Sequence, residues 1–321
     1  VGSARRRQRW VVEYTREIQY GDEYMLAAAS GAAPRELKRL FDRGVSAYKN
    51  AIKARPDQAE PHYRLATAIW TFRLACKEVT SLCTQGRFEA ESAAEVVHHW
   101  HEFSRLAPLD PRSTDLLFER AILHTKLAGV RDLKKNLELA AADYEAHIDR
   151  TESSQIRVPI FASNEIARNN LAETYMMLGR LDDAISMYRL TIQRQGGGGG
   201  TSTVYGLAVA LDRDEQKTQA RALIHAVGDA QFEEFKQEVE SGGTFFVPDG
   251  EKHYYMALAH EALGRPQQAI AEYDRFIKSG AHPQYQARAR ANRTALANRR
   301  DKQPKPTPTM PPEKIRIHQL P

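Results

Sequence analysis

Residues 169–192 read NNLAETYMMLGRLDDAISMYRLTI. Leu171, Tyr175 and Leu178 recur at the three- and four-residue intervals of one helix face. Gly179 then stands where a helix ends in a left-handed cap. Beyond it, Ala184, Tyr188 and Ile192 mark the apolar face of a second helix. The small side chains of Ala172 and Ala184 let the two helices approach closely. Neither helix can bury its stripe alone, so the pattern predicts a helical hairpin covered by further hairpins on each side.

Two more stretches repeat the pattern downstream. Residues 253–277, HYYMALAHEALGRPQQAIAEYDRFI, match through Met256, Ala257, Leu263, Gly264, Ala269, Tyr273 and Phe276. Pro266 opens the second helix, where a missing N–H costs little. Residues 203–227, TVYGLAVALDRDEQKTQARALIHAV, match through Leu207, Ala208, Leu211 and Ala220, with Glu215 in place of the turn glycine. Together these units resemble the tetratricopeptide repeat (TPR), a pair of antiparallel helices with a period of about 34 residues. Thr191 and His260 depart from the family pattern, which has Ala and Tyr at those places. The resemblance implies an all-α superhelical solenoid whose first helices line a concave, partner-binding face.

The spacing locates the insertions. From Ala184 to Ala220 is 36 residues, and from Ala220 to Ala269 is 49. The second interval exceeds one period by the segment DAQFEEFKQEVESGGTFFVPDG, read as a short helix over 230–240 followed by an extended apolar loop ending in Pro-Asp-Gly. Across the first interval lies IQRQGGGGGTSTVYG, residues 192–206, with five consecutive glycines. No Walker Lys-Ser/Thr pair follows them, so they make no phosphate cradle. Because the array gains only two residues there, the run reads as a soft joint inside a continuous array, not a domain linker.

Upstream the pattern is less regular. FDRGVSAYKNAIKARP reads as a second helix without a matching first one, through Tyr48, Ala51 and Pro56. HYRLATAIW follows as a first helix with Leu65 and Ala66. Its partner is displaced by CKEVTSLCTQGRF to a helix at about 88–107, through Trp100 and Phe103. TDLLFERAILHTKLAG and NLELAAADYEAHI form the next pair, through Phe118, Ala121, Leu127, Ala140, Tyr144 and Ile148. The expected organisation is a basic helical lead-in (1–37), irregular TPR-like repeats (38–158), TPR repeats with an insertion at 229–250 (159–280), a capping helix (281–300) and a Pro-rich extended tail (301–321). About five full units and an N-terminal half unit are expected over roughly 38–280.

The 321 residues are 42% hydrophobic, with a mean hydropathy of −0.57. No stretch approaches the roughly 20 apolar residues of a membrane span, and no signal peptide is visible. The net charge of +5 is concentrated near the two ends, in ARRRQR and ARARANRTALANRRDKQPK. Basic tips of this kind are commonly solvated surface, and nucleic acid is not the favoured partner. Cys76 and Cys83 share a helix face but would sit about 10 Å apart on a straight helix, too far for a disulfide. A bend near Thr80–Ser81 would bring them together and indicate an oxidising compartment.

No catalytic signature emerges, and the reading is non-enzymatic with no cofactor and no metal. His98, His101 and Glu102 lie close on one predicted helix, but the spacing is not the HExxH of a zinc enzyme. Asp249, Glu251, Lys252 and His253 flank a loop that could line a site. The rival class is a metal-dependent or peptide-modifying enzyme carried on the repeats.

If the repeat frames hold, the groove position places Tyr63, Phe118, Asn169, Tyr205 and Tyr254 in register. One turn on come Thr67, Ile122, Glu173, Val209 and Leu258, then Trp70, Met176 and Asp212. The same aromatics also suit packing between successive first helices, and spacing alone supports either role. A groove of this composition would take a hydrophobic peptide or helix of a partner protein. The clamp for a terminal carboxylate, built from Lys and Asn in some TPR proteins, is not expected, because Tyr63, Tyr205 and Tyr254 hold its first place. The expected role is a scaffold or adaptor in a protein complex. Resemblance favours a membrane-associated complex of the bacterial envelope or periplasm (secretion, pilus, outer-membrane assembly or gliding), with a cytoplasmic regulatory adaptor as the alternative. Self-association through stacking of terminal repeats is a third reading.

Overall fold

The computed structural model describes residues 2–74, 88–153, 164–194, 200–242, 244 and 246–301, with backbone alone for 2–9 and 299–301. Among them the regular structure is helical, without strands. The thirteen α-helices are α1 (Gly2–Ala29), α2 (Pro34–Ala54), α3 (Glu60–Ile69), α4 (Ala90–Leu106), α5 (Arg112–Ala128), α6 (Leu133–Ser153), α7 (Asn164–Met177), α8 (Leu181–Arg194), α9 (Thr201–Arg213), α10 (Lys217–Ser241), α11 (Lys252–Ala262), α12 (Pro266–Ser279) and α13 (Gln286–Asp301). They fall into two compact units, Val1–Ala210 and Leu211–Pro321.

In the first unit, α1 pairs with α2, α3 with α4, α5 with α6 and α7 with α8, and each pair also touches the next. Hairpin stacked on hairpin is the arrangement that the apolar stripes require. Phe41, Tyr48, Leu65, Ile69, Trp100, Phe103, Leu123 and Leu127 form a continuous core through the first three pairs.

The second helix that lacked a partner in sequence has one, since the lead-in helix α1 packs along α2. The contact face of α1 is the stripe Ile18, Gly21, Met25 and Ala28, apolar but interrupted by a glycine, with Met25 seated against Gly44 of α2. A Cβ on Gly21 would stand 2.3 Å from the Tyr48 ring, so the missing side chain lets that ring lie directly on the α1 backbone. At the end of α3, Trp70–Leu74 form a π turn, and α4 is the displaced partner expected from the sequence. Cys76, Cys83 and the bend at Thr80–Ser81 lie outside the described residues, as do the first four glycines of the run, the expected boundary at 158/159 and the tail from 302 onward.

The repeat turns share one geometry. Gly179 has φ 80°, and the Arg180 amide donates to the Tyr175 carbonyl at 2.9 Å. Gly264 has φ 73°, with the Arg265 amide on the His260 carbonyl at 2.8 Å. Glu215 takes the same left-handed conformation, φ 61°, with the Gln216 amide on the Leu211 carbonyl at 2.8 Å. These are the bonds of the left-handed helix end that satisfies otherwise orphaned carbonyls. The sequence alignment that put Glu215 at the glycine position is thus matched by the backbone.

In the second unit, α10 breaks at Gly228 (φ 76°, ψ −174°) into a repeat helix and an insertion helix, close to the expected 230–240. Phe232 and Phe235 on the insertion are buried, packed against His260 and Tyr255 of α11 with ring centroids 4.9 Å and 6.1 Å apart. The loop that follows buries Phe246 against Tyr255 at 5.0 Å. The insertion therefore covers the Tyr255 side of α11. Helix α13 packs on α12.

Candidate partner-binding surfaces

The groove residues expected from the repeat frame divide by burial. Phe118, Met176, Tyr205, Tyr254 and Leu258 are buried, as are Val209 and Asp212. Phe118 lies edge-on to Tyr144 at 5.9 Å. Tyr254 packs edge-on to Tyr273 and Phe276 at 5.7 Å and 5.1 Å, and its hydroxyl donates to Asp212 at 2.6 Å. Burial, then the Asp212 charge, push the Tyr254 pKa well above the ordinary phenol value. These side chains occupy the interior of the helix pairs, where aromatic area contributes to packing.

Tyr63, Trp70, Asn169, Glu173, Thr67 and Ile122 are half-buried. Tyr63 packs on Phe103 at 5.1 Å, and the Arg112 guanidinium lies over its ring at 4.4 Å. Trp70 lies 5.6 Å from Trp100. Tyr63 and Trp70, seven residues apart, share a face of α3 and its continuation. The exposed part of the expected groove is therefore an aromatic stripe on the third helix, joined farther along the first unit by Asn169 and Glu173 on α7.

The loop acids and bases around 249–253 serve the fold. The Glu251 carboxylate lies 2.8 Å from Nη2 of Arg213, and the two side chains are 1% and 0% exposed. Arg213 is held between the rings of Tyr254 and Tyr285, at 4.5 Å and 3.9 Å. Burial alone would lower the Arg213 pKa, but the charge and hydrogen bond of Glu251 lift it above its ordinary value. Asp212 accepts hydrogen bonds from Tyr254, from Asn292 at 2.8 Å and from Arg288 at 3.0 Å. This buried polar network ties α13 to α9 and α11. Its members are far apart in sequence, so no local pattern announces it. At the surface, Lys252 pairs with Asp249 and His253 with Glu272, both at 2.7 Å.

The histidine cluster is arranged differently from the sequence reading. His98 and His101 are exposed, and Glu102 pairs with Arg105 at 2.7 Å. The close pair is His62 with His99, whose Nδ1 atoms are 2.9 Å apart. Burial, then the neighbouring His62, lower the His99 pKa to about 4, and burial also lowers that of His62. Among the described residues no three His, Cys, Asp or Glu side chains are grouped to hold a metal ion.

One surface was not singled out from the sequence. A cleft of about 460 Å³ in the second unit is lined by Lys217, Thr218, Arg221, Ala222 and His225 of α10 and by Ala262 at the end of α11. Lys217, Arg221 and His225 are four residues apart, so the helix places them on one face. That spacing was visible in the sequence, but only the structure shows that the face borders a cleft.

Residues 253–279 match the tetratricopeptide repeat family, in the form described as TPR_6. No curated protein matches the chain in sequence. Among solved structures, similarity is found to pilF of Pseudomonas aeruginosa, at 12% identity and TM-score 0.43, covering 84% of this chain and 97% of that one. The TPR domain of P58(IPK) aligns at 13% identity and TM-score 0.35, over 94% of this chain and 80% of that one. Yeast Tom70 aligns at 12% identity and TM-score 0.29, over 90% and 65%. Scores this low transfer no function. The repeat match at 253–279, the recurrent left-handed turns and the stacked helix pairs make the chain a TPR-like helical-repeat protein.

Proposed function

We propose that the chain is a non-catalytic scaffold or adaptor that binds a protein or peptide partner. The observation that carries this reading is how the polar chemistry is used. The buried ionisable groups of α9, α11 and α13 are engaged with one another, and the turns repeat one structural motif. What the surface offers is helix faces, the half-buried Tyr63–Trp70 stripe among them. Repeat arrays use such faces for extended binding.

The test is to purify the tagged chain from its source cell, identify the stoichiometric companion and rebuild the complex from the two purified proteins. Saturable binding that Tyr63→Ala with Trp70→Ala weakens supports the reading. A companion chemically altered by the chain would instead establish the enzyme.

The finer placement is a complex of the bacterial envelope, with the chain facing an oxidising compartment. Cys76 and Cys83, close in sequence, support this placement if they are bonded. Thiol trapping in intact cells tests it. A bonded pair, with the chain in the periplasmic fraction, is the expected result. Two free thiols and a cytosolic chain would favour the regulatory adaptor.

A further inference from the structure

The cleft on α10 belongs to the second unit, and its lining is cationic without being acidic. Lys217, Arg221 and His225 contribute basic groups, Thr218 a hydroxyl, and Ala222 and Ala262 small apolar walls. Lys217 is already engaged, its Nζ 2.8 Å from Glu261 Oε1 and donating to Asn292 Oδ1 at 2.8 Å. Arg221 and His225 have no hydrogen-bond or ion-pair partner among the described residues. Among the described residues of this unit, Arg213 is paired with Glu251, Arg265 with Asp229, Arg275 with Glu272, Arg288 with Asp212 and Arg293 with Asp274, while the exposed Arg290, like Arg221, has no pair but does not line the cleft. The cleft therefore joins an uncommitted guanidinium to an exposed imidazole, beside a lysine anchored at its end.

We propose that this cleft binds an internal acidic segment of a partner protein, in extended form, through side-chain carboxylates at alternate positions. The basic groups recur every four residues of α10, a rise of about 6 Å. Alternate side chains of an extended chain point the same way about 6.7 Å apart. Successive carboxylates thus meet Arg221 and His225 in turn. The small side chains of Ala222 and Ala262 leave room for the peptide backbone. A terminal carboxylate is not required, because the cations are arrayed along the helix and do not converge on one point. The proposal rests on the scaffold reading and adds to it the chemistry of one partner segment.

The experiment uses the full chain and a fluorescent peptide with both termini blocked, carrying Glu at alternate positions, with its Gln analogue as control. Anisotropy is expected to show salt-sensitive binding of the Glu peptide, weakened about tenfold by Arg221→Glu. Arg221 has no partner to lose, so this variant should keep the wild-type circular dichroism. Equal binding of the Gln peptide, or no effect of Arg221→Glu, would overturn the proposal. The same variant is then compared with wild type for capture of the purified companion protein. If wild type and variant capture it equally, the cleft assignment falls and the scaffold reading stands. If no companion binds wild type at all, the scaffold reading itself fails.

Discussion

Replacing Glu251 by Gln tests the second unit at its most consequential point. The change keeps shape and removes one charge. Arg213 has no exposed side-chain surface, and Glu251 contacts its Nη2 at 2.8 Å and 2.9 Å. Arg213 Nε and Nη1 are buried without other hydrogen-bond partners. What remains after substitution is one neutral amide-oxygen acceptor for Nη2 and the sandwich of Tyr254 and Tyr285, worth about 2 kcal/mol or somewhat more for a desolvated cation. Breaking a buried pair by removing one partner costs about 3–5 kcal/mol, since the survivor stays buried and uncompensated. Whole domains are stable by roughly 5–15 kcal/mol, so the variant should leave the unit near the edge of folding.

Amide hydrogen exchange read by mass spectrometry is the assay, because it localises the effect. Exchange in α11 and α13 should rise roughly 10²- to 10⁴-fold, following the lost opening free energy. Replacing both partners, Arg213→Met with Glu251→Leu, should recover most of that protection, as apolar pairs of similar volume often do. A few-fold change in the single variant, or a double variant as unstable as the single, would refute the reasoning.

Three further outcomes follow from the geometry. Glu215→Gly should stabilise the chain by about 0.5–1 kcal/mol in urea denaturation, because φ is 61° there and a side chain is costly in the left-handed region. Gly179→Ala and Gly264→Ala should each destabilise by about 1 kcal/mol through φ alone, as a Cβ at either site meets nothing within 4 Å. The third concerns His99, which titrates near 4 in the folded chain against 6.5 unperturbed. As pH falls through 6.5 the unfolded chain takes up a proton that the folded site refuses, so stability is full above 6.5 and declines down to about 4. The loss should be of order 3 kcal/mol, and a stability–pH curve for His99→Gln should be shallower than wild type in that window. Parallel curves would contradict it.

The legible part of the fold was what local spacing determines. Leu171, Tyr175, Gly179, Ala184 and Tyr188 define a helix pair by periodicity and one turn, and the same offsets found Glu215 in a glycine's place. The pairing of α1 with α2 was not read because its stripe, Ile18, Gly21, Met25 and Ala28, lacks the aromatic and turn signature of a repeat and is interrupted where Gly21 admits the Tyr48 ring. Burial was undecided for a related reason. An aromatic at the groove position has the same spacing whether it faces a ligand or the next helix. Only the packed structure puts Tyr254 onto Asp212 while leaving Tyr63 half-open. The Arg213–Glu251 pair joins residues 38 apart, a separation that no helical period encodes.

The central claim is that this chain acts by holding a partner and not by transforming one. Isothermal titration of the purified chain with its copurifying protein, followed by intact-mass analysis of both, tests it most directly. The expected result is a saturable complex of fixed stoichiometry in which both masses are unchanged. A partner that leaves with an altered mass, or a chain that binds nothing stoichiometrically, would contradict it.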